Sequence, residues 1–323
     1  MSKLLEILNW KGEIADIVRP LVGAGDAPAP SGSAGSNAEA RASVPVSAHE
    51  GTDAPADKAA FAADIRVRSL RVPAPSPLLP FEHDQWRPGE QYRILRTKLV
   101  QHPKQPRLIV ISSPASGDGK SVSAINTAAT LSLKGEGHVL LLDADMRRSA
   151  IHAQLGLPES PGLAEVLRGS SAMEQALVRT QEFPNLFVMV AGTPPDNPVE
   201  LLDRAAWQVL SGKLRSLFRY VVLDSPPVGT VADYDLIQAC CDGVILVIRP
   251  DHTDRVLCQR ALATVPKAKL LGVLLNCVPD WSMARYAGSD HYYYYGEKAS
   301  QTNKRGAETK NGDVRTPTHQ PSE

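Results

Sequence analysis

The sequence lacks any excess of charge. Its 35 lysines and arginines stand against 35 aspartates and glutamates, so no global field draws the chain to nucleic acid or anionic lipid, and nucleic acid is not an expected partner. Long apolar runs are also missing. No stretch approaches the roughly 20 residues needed to cross a bilayer, and Lys3, Glu6 and Lys11 interrupt the opening hydrophobics. Neither a membrane span nor a signal peptide is expected, and the chain reads as soluble and cytoplasmic. Cysteine is scarce: Cys240, Cys241, Cys258 and Cys277 follow no metal-ligand or redox spacing, which points to reduced core thiols rather than a zinc site.

What remains divides along the chain. Leu4, Ile7, Leu8, Ile14 and Val18 share one helical face, with Glu6, Asn9, Glu13 and Asp16 on the other, so residues 1–21 are expected to form a short amphipathic helix ending near Pro20. Residues 22–63 are dominated by Ala, Pro, Gly and Ser and cannot bury enough apolar area to offset their ordering entropy, which marks a disordered linker. The polar stretch at residues 291–323, which opens on tyrosines, reads as a disordered tail. Between them, residues 64–290 make one domain.

Within that domain the short runs "RLIVIS", "HVLLLD", "LFVMVAG", "YVVLD", "GVILVI" and "LLGVLLN" are rich in Val, Ile and Leu and alternate with helical patterns. Near-continuous apolar strands alternating with helices predict an α/β fold: a mostly parallel sheet of P-loop NTPase type, with helices on both faces. Ligands of such sheets bind at the C-terminal ends of the strands.

The first of these strands runs into "SPASGDGKSVSAINTAATLSL". Strand, glycine-rich turn, Gly-Lys-Ser and helix form the context of a phosphate-binding loop. Ser116, Gly117, Asp118, Gly119, Lys120, Ser121 and Val122 would then surround the phosphates of ATP, with Lys120 neutralising them and Ser121 ligating Mg²⁺. Pro114 stands where the usual pattern opens on glycine. The second strand ends in "LLLDADMRRS", where Asp143 and Asp145 lie two apart in an extended segment and could reach one metal ion together. A third strand ends at Asp224 in "YVVLDSPP", the form of an acid that holds Mg²⁺ through water.

Two further features lie outside the sheet. In "GEQYRILRTKL", Glu90, Arg93 and Arg96 cover one helical flank and Tyr92, Leu95 and Leu99 the opposite one, leaving the charged flank free for a partner. Of only eight tyrosines, Tyr286 and then Tyr292, Tyr293, Tyr294 and Tyr295 fall within ten residues. Four consecutive tyrosines alternate in direction and cannot all face one core, so they are read as exposed phenols.

From about Glu90 to Tyr295 the chain resembles the bacterial tyrosine kinases of capsule and exopolysaccharide synthesis. "SPASGDGKS" matches that family's altered Walker A loop, "LLLDADMRR" its Walker A′ motif and "VVLDSPP" its Walker B motif. Glu90, Arg93 and Arg96 match its oligomerisation signature, and Tyr292 to Tyr295 its C-terminal tyrosine cluster. The resemblance implies an ATP- and Mg²⁺-dependent protein-tyrosine autokinase that regulates polysaccharide polymerisation and export. Lys120, Asp143 and Asp145 would be catalytic, with Asp143 accepting the phenolic proton. Ser121, Asp145 and Asp224 would hold the metal, and the cluster would be phosphorylated in trans within a ring-like homo-oligomer. It further implies activation by a membrane-anchored polysaccharide co-polymerase, which would hold the protein at the inner face of the membrane. The chief rival is a nucleotide-switched partitioning-type ATPase, but that group carries a signature lysine where Ala115 stands here. A scaffold that binds nucleotide without catalysis would not need Lys120 and all three acids.

Overall fold

A computed structural model of the chain describes residues 61–73, 78, 86–134, 137–203, 205–250 and 252–278. The expected helix at 1–21, the linker as far as residue 60, and the tyrosine cluster with its tail lie outside the described residues.

The six apolar runs all form strands. They are β2 (Leu108–Ser112), β3 (Val139–Asp143), β5 (Leu186–Met189), β6 (Tyr220–Asp224), β7 (Gly243–Ile248) and β8 (Leu270–Leu275). Two further strands join them, β1 (Val67–Arg68) and β4 (Leu177–Thr180). The sheet runs β1-β4-β5-β3-β6-β2-β7-β8. Every pairing is parallel except β4 with β5. Every residue of β2, β3, β5, β6 and β7 is buried, because helices cover both faces and leave no position for a polar alternation.

Two helices matter most to the site. Helix α1 (Trp86–Val100) turns Tyr92, Leu95 and Leu99 into the core and leaves Glu90 and Arg93 exposed, the division its apolar spacing predicts. Helix α2 (Lys120–Ser132) follows β2 and is buried along nearly its whole length. Its Ala124, Ile125, Ala128 and Ala129 pack into the cluster that contains Ile109, Leu141 and Val222 of the sheet. The small side chains let the helix lie close to the strands, which aims its N-terminus at their C-terminal ends. Packing begins earlier than Asp64: Ala62 is buried, and the Phe61 ring stacks on Phe187 at 6.4 Å and meets Phe218 edge-on at 6.0 Å.

Candidate active site

The glycine-rich turn between β2 and α2 is built without an opening glycine and is braced from inside. The Asp118 carboxylate, wholly buried, accepts from the Ala115 amide at 3.0 Å and from the Thr253 hydroxyl at 2.6 Å, with His252 Nδ1 3.0 Å away. Its backbone carbonyl accepts from Asn276 Nδ2 at 2.8 Å. The loop is thus clamped by residues that follow β7 and β8. Gly117 and Gly119 take φ of 91° and 92°, left-handed values that strain any other L residue. A Cβ at Gly119 would also meet Asn276 Nδ2 at 2.0 Å.

Register brings the acids together. Asp143 pairs across from Asp224 on neighbouring parallel strands, and Asp224 across from Ile111 just before the loop. The Lys120 ammonium lies 2.8 Å from Asp145 Oδ2 and 3.5 Å from Asp224 Oδ1. Burial opposes its charge, but the neighbouring acids outweigh that and hold it above the usual lysine range. Asp145 also accepts from the Arg148 amide at 3.1 Å.

Asp143 behaves differently. Its carboxylate accepts from the backbone N–H groups of Asp145, Ala150 and Ile151 at 3.2, 3.1 and 3.2 Å. Burial, and next the Asp224 charge, push it up to about 8 in spite of those bonds. Asp224 is likewise raised, by burial that exceeds the opposing pull of Lys120 and Ser121.

A cavity of about 570 Å³ opens here. Ser116, Gly117, Gly119, Lys120, Ser121, Val122 and Asp145 line it. Asp118, Asp143 and Asp224 are not among its lining residues: Asp118 faces the clamp, and the other two lie behind the wall. The lining is completed by residues that sequence reasoning missed, among them Arg147, Arg148, Pro226, Pro227, Thr230 and Val231. The doubled arginine after Asp145 was the available signal for the first two. Arg147 is held by Asp233, 86 positions away, for which no local pattern exists.

No family model matches the chain. Among curated proteins it is 35% identical over 215 residues to the tyrosine-protein kinase YwqD of Bacillus subtilis, a match covering 65% of this chain and 87% of that one. The chain belongs to the bacterial tyrosine-protein kinases. It is also 30% identical to tyrosine-protein kinase CpsD of Streptococcus agalactiae, over 63% of this chain and 89% of that one. Among solved structures, the chimerical protein CapA2B2 superposes with a TM-score of 0.59 at 30% identity, covering 62% of this chain and 90% of that one. The BceF tyrosine kinase domain superposes with a TM-score of 0.56 at 30% identity, covering 69% and 87%. The rival reading as a partitioning-type ATPase gives way to that of a protein-tyrosine kinase.

In a tyrosine kinase, the tyrosines of the fold itself need placing. Tyr92, Tyr220 and Tyr234 are 3, 3 and 0% exposed. Burial pushes the Tyr92 phenol up to about 12 and that of Tyr234 higher still. None of the three can be presented to an active site without unfolding its surroundings.

The donor set fits a nucleotide with a hard divalent cation. Asp224 Oδ2 is buried and accepts no hydrogen bond of ordinary geometry from the described residues, although the nearby Ser121 hydroxyl favours its ionised form. Among the described residues no three His, Cys, Asp or Glu side chains converge as a cage. No helix of the described residues is long and apolar enough to cross a membrane.

Proposed function

We propose that this kinase binds ATP with Mg²⁺ in the cavity beneath Gly117, Gly119 and Lys120. It transfers the γ-phosphoryl group to Tyr292, Tyr293, Tyr294 and Tyr295 of another copy. The observation that carries the reading is the convergence of Lys120 with Asp145 and Asp224, 2.8 and 3.5 Å away, at the N-terminus of a buried helix. Phosphoryl transfer asks a protein mainly for positioning and charge neutralisation, and this arrangement supplies both.

An acceptor phenol oxygen bonds to the γ-phosphorus as the bond to the β–γ bridging oxygen breaks, and ADP leaves with that electron pair. The Lys120 ammonium turns from the acids to the β- and γ-phosphates, while loop N–H groups and the α2 N-terminus bind their oxygens. Ser121, Asp145 and Asp224 would hold Mg²⁺, which when bound neutralises charge developing on those oxygens. The phenolic proton goes to Asp143, whose raised proton affinity suits a base working near neutral pH. Its contacts with the Ala150 and Ile151 amides must open for this.

The choice of acceptor is supported by burial: the three described tyrosines are inaccessible, while the cluster lies beyond the last strand. Assembly into a ring through Glu90, Arg93 and Arg96 is supported by the free charged flank of α1. There Glu90 and Arg93 pair with each other at 2.9 Å, and Arg96 Nε is buried without an acceptor among the described residues. A membrane-anchored polysaccharide co-polymerase would activate the kinase and bring it to the inner face of the membrane. Its output would be control of capsule or exopolysaccharide polymerisation and export.

The test is phosphotyrosine formation with Mg²⁺ and ATP by the parent and by Lys120→Met. The parent labels itself and the variant does not. Equal labelling of the two proteins would overturn the assignment, as would ATP hydrolysis by the parent with no phosphotyrosine at all.

A further inference from the structure

Arg147 and Asp233 have no part in the chemistry so far, yet they make the best-formed ion pair at the cavity. Asp233 is the second residue of helix α8 (Ala232–Ala239), and its side chain is 1% exposed. Its two oxygens accept from Arg147 Nε at 2.7 Å and Nη2 at 3.0 Å. A carboxylate this deeply buried is costly unless both oxygens are answered, and the planar guanidinium fork answers both at once. The pair joins the loop after β3 to the segment after β6, which are two walls of one cavity.

The Arg147 side chain is 40% exposed and lines the cavity. Of the five N–H donors of a guanidinium, two are spent on Asp233. The other three make no hydrogen bond among the described residues, although the Asp145 charge acts on the group. An arginine held on one edge by a buried carboxylate, with its other edge turned to a cavity, is pre-organised to grip an anion. The long side chain has already lost its rotamer freedom.

Position identifies the anion. Arg147 enters from the β3 and β6 side, two residues beyond Asp145, which pairs with Lys120. Lys120 is the residue proposed for the β- and γ-phosphates, so an arginine two residues beyond its partner Asp145 stands nearest the terminal group.

We propose that Arg147 contacts the γ-phosphoryl group of bound ATP, and that Asp233 is the positioning residue that holds it there. This rests on the nucleotide reading of the cavity.

The experiment compares binding of a non-hydrolysable ATP analogue and of ADP, each with Mg²⁺, by calorimetry on the full chain. The variants are Asp233→Asn, Arg147→Gln and the two combined. The combined variant strands no buried charge and guards against a mere folding failure. Loss of a charge-assisted contact predicts a fall of about tenfold or more in affinity for the analogue. Affinity for ADP should stay within about twofold, since ADP lacks the group touched. Asp233→Asn should shift the ratio in the same direction, which a purely structural staple would not do. An unchanged ratio of analogue to ADP affinity in the combined variant overturns the inference while leaving the nucleotide site in place. A parent that binds neither nucleotide overturns both.

Discussion

Asp143 and Asp224 stand side by side on neighbouring strands, and their acidity is where residue-scale physics meets function. Burial and the Asp224 charge hold Asp143 at about 8, far above its value in an unfolded chain. Between about pH 4, the unfolded carboxylate value, and pH 8 the folded protein keeps a proton that the unfolded chain releases. Stability of the ligand-free kinase is therefore expected to fall as pH rises through that window. Thermal midpoints across it measure the slope, and Asp143→Asn should flatten it. As a base, the same group works only when deprotonated, so autophosphorylation should rise with pH and lose that limb in Asp143→Asn. A pH profile unchanged by the substitution would remove Asp143 from proton transfer. Gly119→Ala is a second residue-scale case. It sets a strained φ of 92° against a side-chain clash with Asn276, and should abolish nucleotide binding while leaving most of the fold's circular dichroism intact.

Elements carry their own signatures at their ends. Helix α9 (Arg255–Thr264) is capped by Asp254, whose carboxylate accepts from the amides of Val256 and Leu257 at 2.7 and 3.3 Å. Asp254→Ala should cost about 1 kcal/mol in denaturant unfolding, the usual worth of such a cap. The start of helix α4 (Leu163–Arg168) is held by Glu165, which reaches back to the Gly162 amide at 2.8 Å. Gly162 abuts the backbone of Val190 and Gly192, where a Cβ would come within 2.3 Å. Backbone cannot move aside as a flexible side chain can, so Gly162→Ala should destabilise the domain far more than the lost cap, by roughly 3 kcal/mol or more. Equal denaturation midpoints for Gly162→Ala and Asp254→Ala would contradict this ranking.

At the scale of the whole molecule the questions are assembly and transfer between copies. Replacing Glu90, Arg93 and Arg96 together by alanine leaves Tyr92, Leu95 and Leu99 buried, so a folded monomer is the expected product. Light scattering that still shows the parental oligomer would dismiss the α1 interface. Changing Tyr292 to Tyr295 to phenylalanine removes the proposed nucleophiles and leaves the cavity untouched. This protein should bind ATP yet barely label itself, and mixing it with Lys120→Met should restore labelling on the Lys120→Met chains. Phosphate mapped instead to Tyr92, Tyr220 or Tyr234 would require local unfolding and would defeat the cluster as substrate. Each added phosphate brings about −1.5 to −2 charges, so labelled copies should also separate more readily, as seen by the same scattering measurement.

The six apolar strands, the loop that follows the first of them and the acids that end two others were legible because each depends on local pattern. A fully buried strand must be apolar along its length, and a phosphate-binding turn must place glycine where φ is positive. Strands β1 and β4 were not legible: lying toward one edge of the sheet, they are strands only because a neighbour pairs with them. Nor could the sequence alone show that Asp118 turns away from the cavity to brace a loop lacking its opening glycine. The partners His252, Thr253 and Asn276 are more than 130 residues distant. It paired Asp143 with Asp145 because residues two apart in an extended segment point the same way, whereas the tertiary structure spends Asp143 on the amides of the following helix and turns Asp145 to Lys120. Asp233 belongs wholly to the tertiary level, since nothing near it in the chain reports that its carboxylate meets Arg147. Local sequence determines which backbone conformations and which burial a segment can accept; which charges then meet is decided by parallel register and by crossovers that join residues far apart in the chain.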